Sequence, residues 1–186
     1  MTVSSRARTA APAVQARGSA ATRGRRRVLP PVGMRWAAVV LVAVVLTLRA
    51  FVLGWYPATS HSMAPTINRG DRVLVDKAGW RLGGLGRGDL IVFASPVDGE
   101  RLVKRVVAVG GDTVAIEDAF LVVNGRRVSE PYVDHSRIDG TYFGTVTVPP
   151  GHLFVLGDNR FGSIDSRVYG PIGVDAVTGR VLGVLG

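Results

Sequence analysis

The sequence contains no cysteine, which excludes a disulfide framework, a thiolate zinc site and a cysteine nucleophile. Its three histidines, His61, His135 and His152, lack the H-x-x-x-H and H-E-x-x-H spacings of common metal sites. The residue types therefore argue against a metal-centred enzyme.

Carboxylates are missing from the first 49 residues, which carry nine arginines. Residues 50–186 carry 14 basic and 14 acidic side chains, so the net charge of +9 belongs to the N-terminal part. A domain without net charge lacks the basic surface that binds phosphate backbones. We therefore predict a basic arm joined to a neutral domain, and no nucleic-acid partner.

The N-terminal part combines this basic arm with a long apolar run. Residues 1–34 have no apolar periodicity and are predicted to be a disordered cytoplasmic arm. Residues 35–56 are predicted to be a transmembrane helix, since Trp36–Leu48 is uncharged and 21 residues span roughly 30 Å as a helix. Eight arginines before the span predict a single-pass protein with its N-terminus in the cytoplasm and residues 57–186 outside.

Two other interpretations of the N-terminus stay open. A charged segment followed by thirteen apolar residues also fits a cleaved signal peptide. An arginine-rich arm without acidic residues resembles an organellar presequence, which would move the protein to a mitochondrial or plastid membrane.

No segment after Pro57 has the 3.6-residue periodicity of a soluble helix; short runs of Val, Ile and Leu alternate with glycine instead. We predict a mostly β domain, an antiparallel sheet or barrel-like assembly. Asn124-Gly125 predicts a tight hairpin turn. The candidate strands are Arg72–Val75, Leu90–Phe93, Arg101–Val109, Thr113–Ile116, Phe120–Val123, Arg126–Val128, Thr145–Val148, His152–Leu156 and Arg180–Leu185.

Two serines lie shortly after the apolar run, in the segment SHSMAPT. Ser60 and Ser62 are two positions apart, so in an extended chain they point to the same side. One could attack a carbonyl while the other donates a hydrogen bond to the oxyanion. His61 points the other way, no G-x-S-x-G elbow is present, and a triad with another histidine stays possible. The alternative is a polar linker.

Lys104 is the better candidate for a base. Alternation along its strand places it on one face with Leu102, Val106 and Ala108. Burial on an apolar face disfavours the charged amine and lowers its pKa, so that it can accept a proton near neutral pH. The alternative is a lysine that extends from a strand edge into solvent.

The densest polar stretch of the domain is GDNRFGSIDSR, residues 157–167. Ser163, Asp165 and Arg167 are in phase along it, so a hydroxyl could hold the lysine amine while the charges behind it fix the loop. The alternative is a solvated turn with surface ion pairs of little energetic weight.

Together these segments resemble the type I signal peptidases, membrane-anchored serine proteases that remove signal peptides from exported proteins. SHSMAPT resembles the family's serine box, RGDLIVF (87–93) its G-D-hydrophobic strand, KRVV (104–107) its lysine box, and residues 157–167 its G-D-N-R-x-x-S-x-D-S-R signature. Ala58-Thr59 and Ala108–Asp112 depart from the usual residues around the first and third motifs.

The resemblance implies a role for each site residue. Ser62 would be the nucleophile, Lys104 the general base, and Ser60 with the backbone N–H of Ser62 the oxyanion hole. Ser163 would orient the lysine.

Further implications concern the loop behind the site and the substrate. Asp165 and Arg167 would brace the site, and Met63 and Val103 would bind substrate. The substrates would be preproteins cut after small residues of the Ala-X-Ala pattern. Membrane lipid would be a further partner, no cofactor would be needed, and the oligomeric state is not predicted.

Two other functional classes compete with this one. A Ser/Lys hydrolase related to self-cleaving repressors would need a soluble DNA-binding N-terminal domain, which the apolar run argues against. An anchored β module without activity, such as a scaffold or adhesin, would not need the reactive residues.

Overall fold

The computed structural model describes residues 32–137 and 142–186. The predicted arm lies outside the described residues except for its last three, which begin helix α1 (Val32–Val52). Among the described residues, none of the helices is both long enough and apolar enough to cross a membrane.

The boundary predicted for the N-terminal helix was wrong at its C-terminal end. The helix ends at Val52, and Leu53–Pro57 is strand β1 instead. The reason is a pairing that hydropathy does not reveal: β1 lies antiparallel to β2 (Arg72–Asp76), with Gly54 opposite Val75. A Cβ at Gly54 would first meet the flexible end of the Lys77 side chain, which can move aside.

The remaining elements are mostly strands, which confirms the mostly β prediction. Helices α2 and α3 were not predicted from the sequence, because four residues are too few to show a helical periodicity. In chain order the elements are α2 Trp80–Gly83, β3 Leu90–Ala94, β4 Arg101–Val109, β5 Thr113–Glu117, β6 Phe120–Val123, β7 Arg126–Arg127, β8 Phe143–Thr147, β9 His152–Leu156, α3 Ser166–Tyr169, β10 Ile172–Gly173 and β11 Val177–Leu185.

The strands form two antiparallel sheets. The larger sheet has seven strands in the order β1-β2-β11-β3-β4-β9-β10, and the smaller has four in the order β7-β6-β5-β8. The predicted hairpin joins β6 to β7, with Asn124 and Gly125 both at positive φ. The larger sheet is open, because β1 and β10 at its edges are not paired with each other.

Three hydrophobic clusters fill the core. One joins the two sheets through residues of β4, β5, β6 and β9, including Phe154 and Leu121. A second lies on β3, β4 and β9 and includes Ile91 and Val106. The third contains Met63 and Ile67 together with residues of β2 and β3, so the segment that follows Ser62 is packed onto the sheet.

Candidate active site

The segment that carries both predicted serines lies close to the sheet. Ser62 is 9% exposed and Met63 is 3% exposed, so this segment is a packed loop rather than a polar linker. Ser60 Oγ and Ser62 Oγ are hydrogen-bonded at 3.1 Å, so the two side chains meet as predicted, but residues 60–62 form a bend and a turn and not the extended segment from which the prediction was made.

Lys104 lies in the middle of β4, opposite Ile91 of β3, and is 2% exposed. This burial agrees with its place on the apolar face of the strand. Burial lowers the pKa of Lys104 to about 8; Asp165 opposes the shift, Arg167 adds to it, and Asp158 opposes it. The amine is therefore half neutral at about pH 8, and a minor neutral fraction is present at physiological pH.

Gly157, directly after β9, is where the serine segment meets the C-terminal polar loop. A Cβ on Gly157 would lie 2.5 Å from the Ser62 carbonyl oxygen and 2.5 Å from Ser163 Cβ. The next residues extend this contact, since the Asn159 N–H donates to the same Ser62 carbonyl at 3.1 Å. The backbone of Ser62 is thus held against residues 157–159.

Asp165 and Arg167 hold this polar loop in shape. Asp165 is fully buried and accepts a hydrogen bond from the Gly157 N–H at 3.0 Å. Arg167 binds both carboxylate oxygens of Asp165, at 2.8 and 2.9 Å, and donates to the Arg160 carbonyl at 2.8 Å. The carboxylate and the guanidinium therefore connect the two ends of the loop.

Ser163 does not make the hydrogen bond predicted for it. Its Oγ is buried and has no hydrogen-bond partner among the described residues, Lys104 included. The side chain occupies the space that a Cβ on Gly157 would need.

Sequence reasoning gave no role to Asp158 or Thr66. Asp158 is 1% exposed and accepts two hydrogen bonds from Arg105, at 2.8 and 2.7 Å, and one from Thr66 Oγ1 at 2.6 Å. It links β4, the C-terminal loop and the segment after Ser62. Both residues lie within the polar motifs, but their pairing joins positions far apart in the chain.

Two cavities flank the serine segment. One, of about 90 Å³, lies beside Ser60, Ser62 and Met63 and is closed on its other side by Leu102 and Val103. The other, of about 180 Å³, is lined by residues 64, 65, 68, 134 and 158–161. The smaller cavity brings the two predicted substrate-binding residues together with both serines.

The histidines do not form a triad with the serines. His135 stacks on Phe120 with ring centroids 4.8 Å apart, and His152 Nδ1 is 3.0 Å from the Pro150 carbonyl oxygen. Within the described part of the chain, no group of three or more His, Asp or Glu side chains is placed to hold a metal ion.

Comparison with known proteins shows what the chain is similar to. Residues 33–185 match the family described as "Signal peptidase, peptidase S26". A signal peptidase I of Bacillus caldolyticus is 40% identical over 80% of this chain and 88% of its own length. A signal peptidase I of Mycobacterium tuberculosis is 39% identical over 73% of this chain and 60% of its own length. A crystal structure of a signal peptidase I from Enterococcus faecalis, 36% identical, covers 54% of this chain and 97% of that one with a TM-score of 0.49.

Proposed function

The chain belongs to the signal peptidases of peptidase family S26 and is a serine peptidase, and from this premise we propose that it removes signal peptides with Ser62 as nucleophile and Lys104 as general base. The observation that carries the proposal is the burial of Lys104, at 2% exposure, which brings its pKa to about 8. A serine hydroxyl becomes an effective nucleophile only when a neighbouring base takes its proton. A buried amine that is half neutral at about pH 8 can take that proton.

The chemistry follows from these groups. The amine of Lys104 accepts the proton of Ser62 as the hydroxyl oxygen attacks the scissile carbonyl, and the protonated amine then supplies the leaving nitrogen with its proton. In the second half, Lys104 takes a proton from water as the water oxygen attacks the acyl-enzyme, and it passes this proton to Ser62 Oγ as the ester bond breaks. We propose that Ser163, a buried hydroxyl, contacts the amine when substrate closes the site, because catalytic hydrogen bonds often shorten only in the complex.

The substrate strand has a place to bind beside this site. Residues 101–104 of β4 pair with β3 on one side, while pairing with β9 begins only at Arg105. The other edge of these residues is free of strand partners among the described residues, so an extended peptide can add there. The 90 Å³ cavity with Met63 and Val103 would then receive small side chains, which favours cleavage after Ala-X-Ala sequences.

Ser60→Ala is expected to lower kcat about 100-fold and to leave KM within about twofold, since removing one oxyanion donor costs that much. The hydroxyl of Ser60 lies 3.1 Å from that of Ser62, where it can donate to the oxyanion that forms on attack. Steady-state kinetics on a signal-peptide substrate measure both constants. Ser129→Ala, at an exposed position, is the control. A change in KM alone would exclude an oxyanion role for Ser60.

The activity is expected to rise with pH and to reach half of its maximum near pH 8. Protonated Lys104 cannot accept the serine proton, and its pKa is about 8. Below that value kcat/KM should therefore fall tenfold for each pH unit. The profile from pH 5.5 to 9.5 at constant ionic strength measures this, with fluorescence to verify that the fold persists. A flat profile between pH 6 and 9 would contradict Lys104 as the base.

The test of the function itself is cleavage of a preprotein by the detergent-solubilised enzyme. We expect one cut after a small residue, no cut by Ser62→Ala, and normal cleavage by Ser129→Ala. Substrates with Ala, Leu or Phe before the scissile bond test the size of the cavity. Cleavage that persists in Ser62→Ala, or that prefers large residues, would reject the proposal.

We also propose that the N-terminal part attaches the enzyme to a bacterial membrane, with residues 57–186 on the outer side. The support is the sequence: eight arginines precede the uncharged run Trp36–Leu48. Alkaline carbonate extraction separates an integral protein, which stays in the membrane fraction, from one bound at the surface. Protease added to spheroplasts should digest the domain; protection of the domain would reverse the orientation.

A further inference from the structure

Glu130 is a buried carboxylate that lies outside all four sequence motifs. It lies three residues after β7, in the connection that leads to β8, and its side chain is 0% exposed. Two donors reach the same oxygen, Oε1: the guanidinium of Arg160 and the Tyr132 hydroxyl, the latter at 3.1 Å. The carboxylate therefore holds two groups that point in different directions.

The first of these groups leads to the backbone of the nucleophile. Arg160 is paired with Glu130, and its Nε donates to the Gly157 carbonyl at 3.1 Å. Gly157 in turn lies against the Ser62 carbonyl oxygen. Arg160 is 4% exposed, so without the carboxylate its charge would be buried and unpaired.

The second group leads to the residues that follow the nucleophile. The centroid of the Tyr132 ring lies 3.8 Å from the guanidinium carbon of Arg105, a cation–π contact. Arg105 binds Asp158, and Asp158 accepts the hydrogen bond of Thr66, four residues after Ser62. The contacts of Glu130 thus approach the serine segment from both sides.

We propose that Glu130 is a positioning residue for Ser62, an inference that rests on the proposed function. It fixes the two arginines that hold residues 157–158 and, through these, the serine segment. A displacement of about 1 Å in a reacting group can cost 100-fold in rate. The charges that act on the Lys104 amine are those of Asp165, Arg167 and Asp158, so the role of Glu130 concerns the place of the nucleophile and not the proton affinity of the base.

Glu130→Gln tests this, because the amide keeps the size of the side chain and removes its charge. Active sites are counted with a small serine-directed acylating probe, and the rate is expressed per reactive Ser62. We expect kcat per site to fall about 10- to 100-fold, KM to stay within about twofold, and the midpoint of the pH profile to stay near 8. A wild-type rate per site with fewer reactive sites would show a purely structural role and overturn the inference.

Tyr132→Phe decides the question where Glu130→Gln folds poorly, since it removes only one hydroxyl. It should lower kcat per site about threefold in the same direction. Glu117→Gln, at an exposed glutamate at the end of β5, is the matched control and should behave as wild type. Unchanged kcat in Tyr132→Phe and in any folded Glu130→Gln would exclude the inference.

The same probe separates this inference from the proposed function. Acylation of Ser62 by the small probe requires no signal peptide, so its rate can be measured independently of the proposed substrate. A wild-type enzyme that reacts with the probe but leaves preproteins intact would reject the assigned substrate, and slower acylation in Glu130→Gln would still support the positioning role. Equal acylation rates in both proteins would reject the positioning role alone.

Discussion

Replacing Lys104 with methionine is expected to abolish peptide cleavage and to stabilise the folded protein at neutral pH. Activity should fall by at least about 1,000-fold, because the variant has no group to accept the Ser62 proton. Lys104→Arg should be equally inactive, since a guanidinium does not lose its proton in this pH range. The gain in stability follows from the cost of burying an amine that is charged in the unfolded chain.

The sign of the stability change can be derived from the pKa of Lys104, which burial lowers from 10.5 to about 8. Between these values the unfolded chain binds one more proton than the folded protein, so stability rises with pH. Below pH 8 the cost is fully present and amounts to about 3 kcal/mol. Methionine removes it, so the gain of Lys104→Met should be largest below pH 8 and vanish above about pH 10.5.

Urea unfolding at pH 7 and at pH 10, together with turnover assays, measures both effects. Lys77, the other lysine of the sequence, is part-exposed, and Lys77→Met is the control. It should leave kcat within about threefold and show no comparable dependence of stability on pH. Residual cleavage by Lys104→Met that depends on Ser62 would assign the base to another group.

Gly157→Ala is expected to lower kcat at least about 100-fold, although it adds a single methyl group. The new Cβ would lie 2.5 Å from the Ser62 carbonyl oxygen and would overlap the Ser163 side chain. The backbone of Ser62 cannot move away freely, because the Asn159 N–H also binds its carbonyl. Relief of the overlap must therefore displace the nucleophile or the loop, and it should also cost about 1–3 kcal/mol of stability.

The matched control lies in the same loop. At Gly162 a Cβ would first meet Asn159 Nδ2 at 3.1 Å, a contact that a shift of a few tenths of an ångström relieves, in contrast to the 2.5 Å contacts at Gly157. Gly162→Ala should therefore keep kcat within about threefold, and rates and thermal unfolding of both variants can be compared directly. Equal kcat for the two variants would show that the contact between Gly157 and Ser62 does not position the nucleophile.

Much of the fold could be predicted because strand alternation and turn chemistry are local. The β6–β7 hairpin is confirmed, since Asn124 and Gly125 tolerate the positive φ that its turn requires. The end of α1 could not be predicted, because Leu53–Pro57 continues the helix sequence without a charged residue. Only pairing with β2, whose residues lie about 20 positions later, makes that segment a strand.

The candidate site likewise has one part that could be predicted from local sequence and another that could not. The serines and Lys104 are recognisable from local spacing and from one apolar strand face, and the motifs then imply their roles. The contacts behind them join residues distant in sequence: Thr66 and Asp158 are 92 positions apart, Arg105 and Asp158 are 53, and Glu130 and Arg160 are 30. Such pairings depend on how the two sheets and the loops meet, which no local pattern encodes.

The direct passage from α1 into β1 limits how far the nucleophile can reach. Ser62 follows the last residue of the helix by ten positions, and even a fully extended chain of that length spans only about 33 Å. Most of it is fixed, because β1 is paired with β2 and the serine segment is packed in the core. If the N-terminal part is attached to a membrane, as proposed, the distance between the lipid and Ser62 is limited by this short connection. In that case the enzyme would cleave only those peptide bonds that come within a narrow range of distances from the lipid, whatever residues flank them.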